Sequence, residues 1–552
     1  MNYRKIICGL INDPLVKEDD IQIAAEGHGD YALPCFKYAR ELRKAPPAIA
    51  AEFAAKIPDN DVIENTEVAG GYLNFSLKRE AVVKAAMDGY SDFAGVRSAN
   101  AGKTICIDYS SINIAKPFHI GHLMSTAIGG SLYRIYKYLG WNAIGINHLG
   151  DWGTQFGKLL AAYNEWGDKT KKLTLGDMLS LYVRFTEESE KDPALAERGR
   201  TEFLKIERGE PDAVRTYELF KTTTLEEVRK VYDRLGIVFD SYNGEAFYND
   251  KMQPIIDELK AKGLTEVSDG ALIVRLDDYG MPPCLIQRSD GASLYATRDL
   301  AAAQYRADNY KFDKCLYVVA TQQNLHFRQL FKVLELMGRE WAKNMVHVQF
   351  GMVSYEGQPL STRHGHVVFL ADVIENTVKK ARGIIEEKNP DLSDKDEVAE
   401  SVGVGAVMFF ALGTQRIKDV DFNYDKVLSF EGETAPYLQY THARCESLIA
   451  KGGGRPSAFD AALLTDDEAY AVVRRLSAFV GTVEEAAEKY EPSMIARYLI
   501  DLAQDYNRFY IADRVVTDDE RLTAARLALT AAVSDVLREG LSLLLIKAPD
   551  RM

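Results

Sequence analysis

The chain has 552 residues, of which 47% are apolar and 27% charged, with a formal net charge of −14. At roughly 150 residues per domain that length suggests three or four domains, with core enough to need no disulfide or metal staple. The acidic balance argues against a non-specific nucleic-acid coat or a basic membrane-surface protein, and no apolar run approaches the ~18 residues of a membrane span. The N-terminus has no clean apolar segment ahead of a small-residue cleavage site, so neither a signal nor a transit peptide is expected. The six cysteines are scattered and form no C-x-x-C pair, which fits reduced, buried thiols in a cytoplasmic protein.

Three zones follow one another along the chain. Residues 1–95 mix a helix-like stretch, 38–56, with a strand-like one, 72–77. Next comes Gly95 to Thr104, GVRSANAGKT, which imitates a phosphate-binding P-loop. Its spacing is too long by two residues, and it precedes a strand instead of following one. Residues 96–375 then alternate strand-like runs (104–110, 316–320, 347–353) with helical ones, the pattern of a parallel α/β sheet. A charged helical stretch interrupts them and reads as an insertion at about 158–285. Residues 376–552 read as almost wholly helical. There Ile495, Leu499, Leu502, Tyr506 and Phe509 lie on one helical face, and Pro492 and Ser493 stand where the helix would start. The segment GGGRPS, 452–457, is the clearest internal loop.

Chemistry concentrates in the α/β zone, which holds seven of the nine histidines. The first motif follows the strand TICIDYS and reads SINIAKPFHIGHLMS, 111–125. Its histidines, His119 and His122, stand at a strand-to-helix junction, with Gly121 between them and Lys116 just upstream. Helix N-termini offer unpaired N–H groups to phosphate, and imidazoles donate to phosphoryl oxygens as charge develops. Two ordinary polar residues at a turn are the alternative. The second motif, NHLGDWGTQFGK at 147–158, reads as a polar loop at the carboxyl edge of the sheet, or simply as a glycine-rich turn. The third, GMVSYEGQPLSTRHGHVV at 351–368, could fold over a triphosphate through Ser361, Thr362 and Arg363, or could be a surface turn. His347, inside a strand-like run, reads as a core residue.

Together these segments resemble a class I aminoacyl-tRNA synthetase, specifically the arginyl-tRNA synthetase family. The quartet HIGH at 119–122 matches the class signature. SSINIAKPFHIGHLMST and NHLGDWGTQFGKL are similar to that family's own versions. LYATRD (294–299), VVATQQNLH (318–326), FGMV (350–353), TAPYLQYTHAR (434–444), the ending KAPDRM and the N-terminal GDYALPCFKYARELRK extend the match. One segment departs: where the family carries a form of KMSKS, this chain reads PLSTRHG, 359–365, with both lysines absent.

The resemblance implies an α/β fold: a Rossmann-like parallel-sheet catalytic domain with a helical insertion, a small α+β N-terminal added domain and an all-α anticodon-binding bundle. It implies an arginine–tRNA ligase. The arginine carboxylate attacks the α-phosphorus of ATP, pyrophosphate leaves, and the 3'-terminal ribose of tRNA-Arg then takes the arginine, with tRNA needed for activation. Mg²⁺ would accompany the ATP, and the chain would act as a cytoplasmic monomer. By resemblance the catalytic groups are His119, His122, Lys116 and Arg363. ATP would meet His119, Gly121, His122, His326, Met352, Val353, Ser361 and Thr362. Arginine would meet Asp108, Asn113, Tyr295, Asp299 and Gln323. The tRNA would meet Tyr437, Tyr440, Arg444, Arg497, Tyr498 and Tyr510, although such tyrosines also serve as helix packing. Two other readings share the HIGH chemistry or descent: a tRNA-independent ligase or nucleotidyltransferase, and a non-catalytic RNA-binding protein.

Overall fold

The computed structural model describes residues 3–25, 27–288, 295–359 and 368–552. The N-terminal part holds α1 (Tyr3–Ile11), β1 (Gln22–Ile23), β2 (Tyr31–Pro34), α2 (Ala39–Leu42), α3 (Pro46–Lys56), β3 (Ile63–Ala69) and β4 (Tyr72–Leu77). Its antiparallel sheet runs β1-β2-β4-β3. The hairpin between β3 and β4 closes on Gly70 and Gly71, both at positive φ, as a two-residue turn requires. The helix expected over 38–56 is broken. Arg43 adopts a left-handed conformation, and Pro46 with Pro47 can only restart a helix, not continue one. Two helices, α4 (Arg79–Gly89) and α5 (Ala94–Asn100), lead on. The P-loop look-alike therefore lies on a helix that enters the next strand from the wrong side.

That strand is β5 (Thr104–Asp108), followed by α6 (Leu123–Tyr138), β6 (Asn142–Ile146) and α7 (Thr154–Trp166). Helices α8 (Leu175–Lys191), α9 (Pro193–Glu207), α10 (Pro211–Leu235) and α11 (Met252–Ala261) follow, with a small antiparallel sheet of β7 (Glu266–Ser268), β8 (Ala271–Val274) and β9 (Cys284–Gln287). Prolines at the first turn of α9 and α10 and an αL glycine, Gly236, after α10 punctuate this stretch. The chain returns through α12 (Tyr295–Tyr310), β10 (Lys314–Ala320), α13 (Asn324–Leu336) and β11 (Met345–Phe350). The main sheet is wholly parallel, in the order β11-β10-β5-β6, so β5 is central and its carboxyl end opens onto the site.

The strand expected over 347–353 stops at Phe350. A Cβ at Gly351 would lie 2.4 Å from the Lys418 carbonyl oxygen, so the chain passes close there and turns into β12 (Val353–Tyr355) and β13 (Gln358–Pro359). Beyond residue 367 come α14 (Leu370–Lys388), α15 (Lys395–Leu412), β14 (Val420–Phe422), α16 (Tyr424–Val427), α17 (Ala435–Lys451), α18 (Asp467–Ser477), α19 (Phe479–Glu488), α20 (Ser493–Ala512) and α21 (Glu520–Leu543). The zone read as helical thus contains one short strand, β14, which pairs in parallel with β12. In α20 the predicted stripe is buried throughout, from Ile495 to Phe509. Each such side chain contributes about 1.5–3 kcal/mol before ordering costs.

Helix α6 ties these parts together. A Cβ on Gly129 would sit 2.1 Å from Tyr109 Cβ, so the helix lies directly on the chain leaving β5. Its far half is bonded to the bundle. Ser131 Oγ donates to the Leu543 carbonyl at 2.8 Å, Arg134 Nη1 to that of Ser542 at 2.8 Å, and the Tyr136 hydroxyl to that of Ala487 at 2.8 Å.

Candidate active site

The loop leaving β5 is under visible constraint. Ser110, Ser111 and Ala115 all adopt positive φ (67°, 43° and 59°), a conformation that costs non-glycine residues energy and clusters at working sites. Hydrogen bonds hold it: the Ser110 N–H donates to Ser125 Oγ at 2.9 Å, and Ser110 Oγ lies 2.7 Å from the Tyr232 hydroxyl. Asn113 is bridged to Gly150, where a Cβ would meet its Oδ1 at 2.3 Å, so the second motif packs against the first. Lys116 is exposed on the same loop.

His119 and His122 stand side by side, ring centroids 4.0 Å apart, at the start of α6. The Gly121 N–H donates to His119 Nδ1 at 3.1 Å, and the His119 N–H donates to His122 Nδ1 at 3.2 Å. His119 Nδ1 therefore accepts, which leaves its proton on Nε2, while His122 Nδ1 lies between the His119 N–H and the His119 carbonyl oxygen at 3.3 Å, so its tautomer is open to either partner. Burial lowers the pKa of His119, and burial with the charges of His119 and Lys116 pushes His122 down to about 3. The pair is neutral near pH 7, and His119 presents its Nε2–H as a donor. Across from it, the Ile120 N–H donates to the Val368 carbonyl at 3.0 Å and the Leu370 N–H to that of Phe118 at 3.0 Å. The chain emerging from the third motif is thereby bound to the HIGH segment. Ser361, Thr362 and Arg363 themselves lie outside the described residues.

A cluster of carboxylates and imidazoles gathers where β5, β6 and α12 meet. Asp108 ends β5 with its Oδ2 2.7 Å from Arg306 Nη2, and its Oδ1 accepts from Ser111 Oγ at 2.6 Å. Asp299, on the first turns of α12, lies 2.6 Å from His326 Nε2 and 4.0 Å from His148 Nε2. Burial holds the His148 pKa below its ordinary value. Tyr295 sits over His326, and the Asp299 charge pushes its hydroxyl pKa up. Gln323 is exposed at the start of α13. Among the nucleotide candidates, His326 is thus brought against Asp299. Met352 is half exposed, its N–H donating to Asp419 Oδ1 at 2.6 Å, while Val353 is buried.

Sequence reasoning missed three members of this site. Glu245 is faced by Arg298 at 3.4 Å, and burial raises its pKa to about 7, with Asp299 and Asp151 adding to the rise. Lys221 pairs with the fully buried Asp151 at 2.8 Å, and Asp151 Oδ1 accepts the Ala246 N–H at 2.9 Å, which fixes the turn carrying Glu245. Arg306 is the third. No motif marked any of them. His347 Nε2–H donates to the Val319 carbonyl at 2.9 Å, and the ring packs on Phe327 within the fold.

On the bundle, the Arg444 guanidinium lies over both the Tyr440 ring (4.8 Å) and the Tyr510 ring (5.1 Å). It also donates to Asn507 Oδ1 at 2.8 Å, and Asn507 donates to the Tyr437 hydroxyl at 2.9 Å. These four candidates form one patch. Arg497 stands apart, paired with Glu433 and with Asp501. Tyr498 does not join them. It is 5% exposed, stacks on Phe479 and donates its hydroxyl to the Arg475 carbonyl at 2.9 Å. It is packing within the bundle, since its place three after Ile495 and four before Leu502 puts it on the buried face.

A family model for the catalytic domain of tRNA synthetases class I (R) matches residues 90–424. With the parallel sheet and the HIGH junction, it defines a class I tRNA synthetase. The DALR anticodon-binding domain model matches 438–552, and the arginyl-tRNA synthetase N-terminal domain model matches 4–77. The chain is 49% identical to an arginine–tRNA ligase of Alkaliphilus metalliredigens over 95% of its length and 94% of the relative's. It is 47% identical to one of Halothermothrix orenii over 98% and 97%. The solved Thermus thermophilus arginyl-tRNA synthetase superposes with a TM-score of 0.82 at 28% identity, covering 100% of this chain and 99% of that one. The chain belongs to the arginyl-tRNA synthetase family.

Proposed function

We propose that the chain activates L-arginine with ATP and transfers it to the 3'-terminal ribose of tRNA-Arg. The observation that carries this reading is Asp299. It is a carboxylate at the carboxyl edge of the sheet, whose close partners among the described residues are the two imidazoles of His326 and His148. Such a group is suited to a guanidinium, which pairs with carboxylates in a fixed fork. Tyr295 lies alongside it, and Glu245 adds a second carboxyl to the same wall. Asp108, Asn113 and Gln323 take the ammonium and carboxylate end.

The Nε2–H of His119, joined by that of His122 in its Nε2-protonated tautomer, donates to phosphate oxygens as charge builds at the α-phosphorus. Because they are already neutral and oriented, little reorganisation accompanies the reaction. Gly121 leaves room for the adenine, and His326, Met352 and Val353 border that side. Lys116 and Arg363 neutralise phosphate charge in place of the two absent lysines, with Ser361 and Thr362 as hydroxyl donors. Mg²⁺ arrives with the ATP, held by phosphate oxygens. Activation and transfer proceed by positioning and charge stabilisation, with no covalent enzyme intermediate.

The patch of Tyr437, Tyr440, Arg444 and Tyr510 stacks on unpaired bases of the tRNA, and Arg497, standing apart from it on the helix that carries Tyr510, meets the tRNA separately. Residues 1–95 act as the added domain, 96–375 as the catalytic domain with its insertion at about 158–285, and 376–552 as the anticodon-binding domain. The chain works as a monomer in the cytoplasm. Arginine-dependent exchange of pyrophosphate into ATP, run with and without tRNA-Arg, tests the activation step. Exchange only with tRNA is expected. Exchange that ignores tRNA would remove the tRNA requirement, and none under either condition would remove the ligase reading.

A further inference from the structure

We propose that Arg306 is a positioning residue for arginine binding: its guanidinium holds the Asp108 carboxylate in the orientation that receives the substrate's ammonium group. The inference rests on the role given above to Asp108.

Arg306 is 1% exposed, on α12, two turns after Asp299 and on the same helical face. Its Nη2 reaches back 2.7 Å to Asp108 Oδ2 and lies 3.5 Å from His148 Nδ1, and its guanidinium carbon stands 5.1 Å from the Tyr317 ring centre. One side chain therefore links the helix that carries Tyr295 and Asp299 to the end of β5, where the constrained loop begins.

The arrangement is a costly one for stability alone. Among the described residues, Arg306 Nε and Nη1 are buried without a hydrogen-bond partner. A buried cation with unmet donors holds a fold less well than apolar packing of the same volume. What it does supply is direction. Arg306 grips Oδ2 from one side and Ser111 Oγ grips Oδ1 from the other, so the carboxylate plane is set before substrate enters. Remaining lone pairs on the oxygens are then aimed where an ammonium can use them. Arg306 touches no reacting atom, so its effect belongs in arginine affinity and not in the chemical step.

The test compares Arg306→Met, Asp108→Asn and the double variant in the full chain, by aminoacylation with arginine and ATP varied separately. Arg306→Met should raise the arginine KM at least tenfold, leave the ATP KM within twofold and change kcat by less than fivefold. Asp108→Asn should raise the arginine KM similarly, and the double variant should be no worse than the poorer single one, because both act through one carboxylate. An unchanged arginine KM in Arg306→Met beside a raised one in Asp108→Asn would overturn the inference while leaving the role of Asp108 standing. Multiplying effects in the double variant would overturn it too. An unchanged KM in Asp108→Asn would remove the role of Asp108 itself, and the inference with it. Should Arg306→Met not fold, Arg306→Lys carries the test. Its shorter side chain keeps the charge but cannot bring a donor to the place of Nη2, so a raised arginine KM with unchanged ATP KM is expected and an unchanged one refutes.

Discussion

Replacing Asp299 with Asn removes one charge and keeps the volume. The carboxylate is largely buried, 18% exposed, and its near neighbours are the imidazoles of His326 and His148. A guanidinium about 4 Å away would feel an attraction of roughly 4 kcal/mol at an effective dielectric of 20. Part of that is spent on desolvating both ions, and a charge-assisted hydrogen bond usually retains about 1.5–3 kcal/mol. The arginine KM should therefore rise about 10- to 150-fold, with a much smaller change in the ATP KM, because on the nucleotide side only His326 loses a charged partner. Initial-rate aminoacylation at saturating ATP and tRNA measures it. An arginine KM within threefold of wild type would refute the assignment of Asp299 to the guanidinium.

Three further outcomes follow from particular groups. Burial raises the Glu245 pKa from its ordinary 4.5 to about 7, so the protonated form favours the folded state. That contribution is complete below pH 4.5 and is lost as pH rises through 7, for a loss of no more than about 3 kcal/mol. Glu245→Gln should therefore melt higher than wild type at pH 8, yet bind arginine more weakly there, and the wild-type fall in arginine KM between pH 6 and 8 should vanish in the variant. Matching KM profiles for the two proteins would count against Glu245 facing the substrate cation. Arg444→Ala should raise the tRNA KM about 5- to 150-fold without altering arginine-site constants, given the usual 1–3 kcal/mol for a stacked base. Filter binding of labelled tRNA checks this, and unchanged affinity would detach the patch from RNA binding. Tyr498→Phe should leave tRNA affinity unchanged and lower stability by about 1 kcal/mol, the worth of its hydrogen bond to Arg475, as read from denaturant midpoints.

Much of the fold is legible along the chain because its signals are local. The strand before HIGH, the strand-like stretch at 72–77 and the apolar stripe of α20 each depend on neighbours a few residues apart. The break in the helix expected over 38–56 was also written locally, in Pro46-Pro47. β14 is different: three residues gain strand geometry only by pairing with β12, some 67 residues earlier. The site divides in the same way. His119, His122 and Lys116 share one loop and can be found by pattern. Glu245, Lys221 and Arg306 acquire meaning only through contacts across the fold, Arg306 reaching Asp108 over 198 residues. Tyr498 was misread although a signal existed, since its spacing from Ile495 and Leu502 already put it on the buried face.

The most direct test is transfer of labelled amino acid to tRNA by the purified chain with ATP. Arginine alone among the twenty amino acids should be attached, to the 3' end of tRNA-Arg, and attachment should collapse in the His119→Ala/His122→Ala variant. No attachment of arginine, or equal attachment of another amino acid, would contradict the account.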